Sequence, residues 1–299
     1  MNLPTDHDHI DTTTTHARQH RRRRAASVLP TLLTLGNAIC GFAAIHYAAK
    51  PITNTAVGWS TLTVAGALVF LGMFFDAIDG SVARMTRSTS NMGAQLDSLA
   101  DVITFGVAPA FMTLRLISHY YGASAGADGL QILGPADSTY ARILWAIAAF
   151  YMCCTALRLA RFNAEVRSAK AEDHLYFRGM PSPGAGGTVA SLILLHQHLL
   201  HTHIGIEEDS LAFARTAALG IPLVTVIVAF AMVSNIRYSH FTNKILRARR
   251  GFRSLLRVVI PVLLFFWWPQ VALAAGFVIY ALSGPVLSLI HRDSATTQP

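Results

Sequence analysis

Residues Asp76–Asp101 read DAIDGSVARMTRSTSNMGAQLDSLAD and hold four of the chain's 16 acidic residues. The sequence is apolar on both sides, with LTVAGALVFLGMFF before the stretch and VITFGVAPAFMTLRLI after it. Runs like these are long enough, as helices, to cross a bilayer core of ~30 Å. The stretch is therefore a polar junction between two membrane helices, which predicts an all-α, polytopic helix bundle.

Further apolar windows place spans near residues 31–49, 58–77, 95–115, 141–160, 186–203, 212–233, 254–268 and 269–290, about eight in all. The last two are divided at FFWWPQ, where Trp267 and Trp268 suit a membrane interface and Pro269 breaks the helix; one re-entrant pair is the alternative. Only 13% of the 299 residues are charged and 53% are hydrophobic. The net charge of +8 raises nucleic-acid binding for a soluble chain. Here the Lys and Arg cluster between apolar runs, and the positive-inside rule accounts for them, so no nucleic-acid partner is expected. With both termini cytoplasmic, most of the 24 basic residues fall on the cytoplasmic side, whereas HTHIGIEEDS on the opposite side has no Lys or Arg. The aspartates then lie at cytoplasmic helix ends.

Residues 1–28 are polar and basic-ended, and read as a disordered cytoplasmic tail. Residues 29–291 are expected to form the transmembrane domain and 292–299 a C-terminal tail. RRRRAASVLPTLLTLGNAIC has the outline of a signal peptide, but Pro30, Asn37 and the absence of a small-residue cleavage site favour a retained first helix. Cys40, Cys153 and Cys154 sit in apolar runs at no metal-ligand spacing and read as small core residues.

Asp76 and Asp79 are three apart, and Asp97 and Asp101 four apart, so each pair shares a helix face with ~4.5–6 Å between its members along the axis. Two antiparallel helices joined by the intervening turn aim all four carboxylates at one another. Burial and mutual repulsion penalise such a cluster, and divalent metal removes the penalty. All-oxygen ligation selects a hard ion, Mg²⁺ or Mn²⁺, and four carboxylates suffice for the two ions of a phosphoryl-transfer site. Gly80, Ala83 and Gly93 allow close approach of a ligand or a helix, and Arg84 stands one turn beyond Asp79 to meet phosphate.

The spacing D-x2-D-G-x2-A-R-x8-G-x3-D-x3-D, met at every fixed position, resembles the signature of the CDP-alcohol phosphatidyltransferase family. The resemblance implies a membrane enzyme that transfers the phosphatidyl group of a CDP-linked lipid to an alcohol and releases CMP. It implies that Asp76 and Asp97 bridge two metals, that Asp79 completes the first site, and that Asp101 completes the second and acts as general base. It further implies that Asn37, Gly80, Ala83, Arg84 and Ser90 bind the CDP-lipid, CDP-diacylglycerol, and that the enzyme is a homodimer in a bacterial inner membrane with its site facing the cytoplasm. For Asn37, a plain interhelical hydrogen bond is the competing expectation.

LPTLLTLGNAICGFAAI, LDSLADVITFGVAPA, ALRLARFN, YFRGMPSPGAGG and SNIRYSHF resemble the phosphatidylserine synthase branch of that family, which implies L-serine as the acceptor. Thr31, where that branch often has Asn, and the glycine-rich GMPSPGAGG depart from it. Serine brings a carboxylate, and Arg158, Arg161 and Arg178 are candidates for it or for lipid phosphate, against simple snorkelling at the interface. Pro181, Ser182 and Pro183 open the next span and either shape the acceptor mouth or only enter the helix, with Gly184, Gly186 and Gly187 packing on a neighbour. His196, His198, His201 and His203 lie on the side opposite the aspartates and read as a solvated helix end. KILRARRGFRSLLR suits a helix on anionic lipid or plain positive-inside charge. Two rival readings are the same chemistry with glycerol phosphate, inositol phosphate or choline, and, more remotely, a cation channel or transporter.

Overall fold

The computed structural model describes residues 8–55, 58–86, 91–121, 139–168, 177–203, 208–238, 259 and 263–296. The named helices are α1 (Asp8–Ala49), α2 (Thr61–Thr86), α3 (Asn91–Asp101), α4 (Ala108–Tyr121), α5 (Thr139–Ser168), α6 (Ser182–His203), α7 (Glu208–Val233) and α8 (Pro269–Thr296). A π-helical turn, Val102–Val107, joins α3 to α4 without a break. The strands β1 (Phe177–Arg178) and β2 (Arg237–Tyr238) form a short antiparallel ribbon.

Six stretches are long and apolar enough to cross a membrane: Leu29–Ala49, Thr61–Val82, Met92–Tyr121, Ala141–Glu165, Ala214–Val233 and Pro269–Val286. Exposed Leu32, Ile39, Phe42, Phe74, Ile227 and Phe230 stud their outer faces, while Ala44, Ala48, Ala65, Ala185 and Ala190 are buried within. Large apolar side chains outside and small ones inside are the arrangement that a lipid solvent favours. The chain is a polytopic helical membrane protein, as expected.

The fifth apolar run is α6. Its 22 residues reach ~33 Å at the α-helical rise. It packs against α2, α4, α7 and α8, and residues 184–191 are all buried. Because protein surrounds it, α6 tolerates polar groups that pair locally: Thr188 donates to the Gly184 carbonyl (2.8 Å) and the Ser60 hydroxyl to Gln197 Oε1 (2.8 Å). The span expected at 254–268 lies largely outside the described residues. Its described end, 263–267, is helical, Trp268 is not, and α8 starts at Pro269, which fits the break expected at FFWWPQ.

Two expectations are corrected: His196 is buried with Nε2 bonded to the Ala214 carbonyl (2.9 Å), not solvated, and Cys153 is exposed, not in the core. The helix α1 begins at Asp8, within the stretch 1–28 set apart as a tail. Residues 8–29 contain no Gly or Pro, so nothing breaks the helix as it extends outward from the membrane. At the other end, α8 runs past residue 291 to Thr296.

The ribbon ties the start of α6 to the end of α7. Gly179 donates to the Ile236 carbonyl (2.9 Å), and Met180 to that of Ala231 (3.0 Å). Gly179 has φ of +86°, and a Cβ there would stand 2.3 Å from the Met232 carbonyl oxygen, so only glycine fits. Burial pushes the Tyr238 phenol up to about 12, which keeps it a neutral donor to the Ala281 carbonyl at 3.2 Å. The ribbon, the start of α6 and the aspartate ends of α2 and α3 therefore share one end of the bundle. At the opposite end, the turn after α1 is closed by the Asn54–Ser60 bridge and by Arg115, whose Nη2 donates to the Lys50 carbonyl (3.2 Å).

Candidate active site

The site is built between the C-terminal half of α2 and the C-terminal end of α3. Asp76 and Asp79 lie on one side of α2, and Asp97 and Asp101 are one turn apart on α3. The carboxylates of Asp76, Asp97 and Asp101 each offer an oxygen within 4.8 Å of the others. Asp101 is buried and the other two are half-buried. Asp79 is buried beside this trio and interacts electrostatically with Asp76 and Asp97. It is held on its own terms, because the Thr34 hydroxyl of α1 donates to Asp79 Oδ2 at 2.8 Å.

Three clustered carboxylates repel one another, and the low dielectric of a membrane bundle amplifies the repulsion. Among the described residues, Asp97 Oδ1 is buried with no hydrogen-bond partner. An oxygen left that way is costly unless a cation meets it. The donor set is oxygen only, so it fits a hard divalent ion.

Neighbouring groups complete the surroundings. Asn37 of α1 is fully buried, and its Nδ2 donates to Asp101 Oδ1 (3.1 Å). This is the interhelical bond that was one of the two expectations for Asn37. Arg158 of α5 donates to the Ser182 hydroxyl at the start of α6 and interacts electrostatically with Asp101 and Asp76. It is the candidate arginine that the fold brings to the carboxylates. Arg161, three residues on, turns elsewhere: Nε meets Glu165 Oε1 (2.9 Å) and Nη2 donates to Asn235 Oδ1 (2.9 Å). Arg178 stands in β1, opposite Arg237 of β2. Gly80, Ala83 and Arg84 continue α2 beyond Asp79, while Ser90 lies outside the described residues.

Sequence reasoning missed Thr34 and Thr104 as parts of the site, whereas Ser182 had been singled out at the entry of α6. A signal for the first existed: Thr34 and Asn37 are polar, three apart within an apolar run, and so share the helix face that turns from lipid toward protein. Glycines fill the remaining gaps. Gly184, Gly186 and Gly187 lie against Tyr280, the Phe105 backbone and Phe277, so GAGG does pack on neighbours.

The CDP-alcohol phosphatidyltransferase family model matches residues 27–236. A Helicobacter pylori protein named CDP-diacylglycerol–serine O-phosphatidyltransferase is 30% identical over 257 residues, which cover 86% of this chain and 89% of its own length. A Bacillus subtilis protein of the same name is 32% identical over 213 residues, covering 71% of this chain and 90% of its own. The matched region runs from α1 to the residue before β2 and takes in all four aspartates, Asn37 and Arg158, so this chain belongs to the CDP-alcohol phosphatidyltransferase family.

Proposed function

We propose that this membrane transferase moves the phosphatidyl group of CDP-diacylglycerol to the hydroxyl of L-serine, giving phosphatidylserine and CMP. The observation that carries the reading is the convergence of Asp76, Asp97 and Asp101 within 4.8 Å beside Arg158. Two divalent cations, Mg²⁺ or Mn²⁺, held by Asp76, Asp79, Asp97 and Asp101, would neutralise charge on the phosphoryl oxygens and the departing CMP. Asp101 takes the proton of the attacking serine hydroxyl. Gly80, Ala83, Arg84 and Ser90 line the CDP pocket, the last two by hydrogen bonds to phosphate.

Serine as acceptor is supported by the names of the relatives and by Arg158. A guanidinium oriented by Ser182 at the mouth of α6 suits a carboxylate that must lie near the metals. Arg161 and Arg178 are assigned to lipid phosphate on their charge. Residues 29–291 make the catalytic domain between two tails, the enzyme acts as a homodimer, and the site faces the cytoplasm of a bacterial inner membrane.

The test is CMP release from CDP-diacylglycerol by purified protein, offered serine, glycerol phosphate, inositol phosphate or choline in turn. Release with serine alone is expected; none with serine and release with another alcohol would replace the acceptor. Arg158→Ala should raise the KM for serine by about 10–100-fold, with a far smaller effect on that for the CDP-lipid, as expected when a charge-assisted bond to one substrate is lost.

A further inference from the structure

We infer that Asn37 is a positioning residue for Asp101, locked by Thr104 and seated in space that two glycines leave open. The Asn37 amide donates to Asp101 Oδ1 at 3.1 Å, and the Thr104 hydroxyl donates to the Asn37 main-chain carbonyl at 2.9 Å. Asn37 and Thr104 are both fully buried. Three elements meet here. A Cβ on Gly41 of α1 would lie 2.5 Å from Thr104 Oγ1, and one on Gly72 of α2 would lie 2.6 Å from Thr104 Cγ2 and 2.8 Å from Asn37 Oδ1. A side chain on Gly41 would displace the Thr104 hydroxyl, and one on Gly72 the Thr104 methyl and the Asn37 amide oxygen.

The π-helical turn gives the arrangement its purpose. Val102–Val107 starts at the residue after Asp101, and Thr104 lies inside it. Such turns interrupt the α-helical ladder and recur at functional sites. Here the turn lets one short segment grip α1 twice, through Asp101 and through Thr104. With one oxygen engaged by Asn37, the Asp101 carboxylate keeps a fixed plane toward Asp76 and Asp97. A carboxylate so oriented is preorganised for metal and for a proton, which is how residues behind a ligand tune it.

This inference rests on Asp101 being a metal ligand and the base, and the experiment separates the two ideas. Asn37→Ala is compared with wild type for Mn²⁺ binding to the lipid-free protein by electron paramagnetic resonance, and for kcat and KM. Positioning predicts Mn²⁺ binding weakened by about 10–100-fold and kcat lowered to a similar degree, with KM for CDP-diacylglycerol held within about two-fold. A raised KM with kcat and Mn²⁺ binding intact would make Asn37 a nucleotide ligand and overturn the inference. Should Asn37→Ala fail to fold, Thr104→Val and Thr104→Ser decide: loss of Mn²⁺ affinity in the first and recovery in the second supports positioning, and wild-type behaviour in both refutes it. Asp101→Asn is the separate control, since full activity in that variant would sink the reading of Asp101 while leaving the Asn37 contact in place.

Discussion

A single atom, Asp97 Oδ1, shows how the site trades stability for chemistry. It is buried without a hydrogen-bond partner among the described residues, beside two further carboxylates. Without metal, that oxygen contributes repulsion and lost solvation and nothing in return. Asp97→Asn should therefore stabilise the metal-free protein by about 1–3 kcal/mol, because it removes a charge and keeps the shape. Mn²⁺ is expected to raise the melting temperature of the wild type, and the same change should abolish both that rise and activity, since a ligand that binds only the folded state stabilises it more the tighter it binds. Thermal unfolding in detergent, with chelator and then with Mn²⁺, reads both effects. A lower melting temperature in chelator would mean that Asp97 is satisfied by the protein and is no metal ligand.

At the scale of elements, the glycines of α6 decide how closely it approaches its neighbours. A Cβ on Gly186 would stand 3.0 Å from the Phe105 Cα in the π-helical turn, and one on Gly187 would stand 2.2 Å from the Phe277 ring of α8. Gly220, on α7, has open space around it. Gly186→Ala should cost about 1–3 kcal/mol by overpacking and depress activity, because Phe105 lies four residues after Asp101 and has no side-chain freedom with which to yield. Gly187→Ala should cost stability chiefly, and Gly220→Ala should be neutral or stabilising, since helix propensity alone acts there. Melting temperatures and turnover of the three variants check the order. The same contacts show what the sequence could reveal. The four aspartates were legible because their spacing lies within single helices, where period alone sets which residues share a face. The pairing of Asn37 with Asp101, 64 residues apart, and the divergence of Arg158 from Arg161 depend on how helices are set against one another. Nothing in the period of one helix reports that. The π-helical turn was equally hidden, because VITFGV is apolar throughout and its extra backbone residue leaves no mark in hydropathy.

For the whole molecule, the bundle has one chemical end and one closed end, and the question is which side of the membrane each faces. The carboxylates, Arg158 and the ribbon lie at one end; the turn after α1, capped by Arg115, lies at the other. The proposal that the chemical end faces the cytoplasm rests on the distribution of basic residues. The proposal is consistent with the charge of the CDP headgroup and of CMP, anions that cannot cross the hydrocarbon unaided. Two exposed positions mark the ends: Trp59 beside the start of α2 and Met85 near its finish. In a background with Cys40, Cys153 and Cys154 replaced by alanine, Met85→Cys should react with a membrane-impermeant maleimide in inside-out vesicles and stay silent in intact cells. Trp59→Cys should do the reverse. The opposite pattern would put the carboxylates outside, away from any pool of nucleotide-activated lipid headgroups, and the orientation drawn from charge would fall with it. Labelling of both positions from one side would instead break the assignment of Thr61–Val82 as a crossing, on which the separation of the two ends depends.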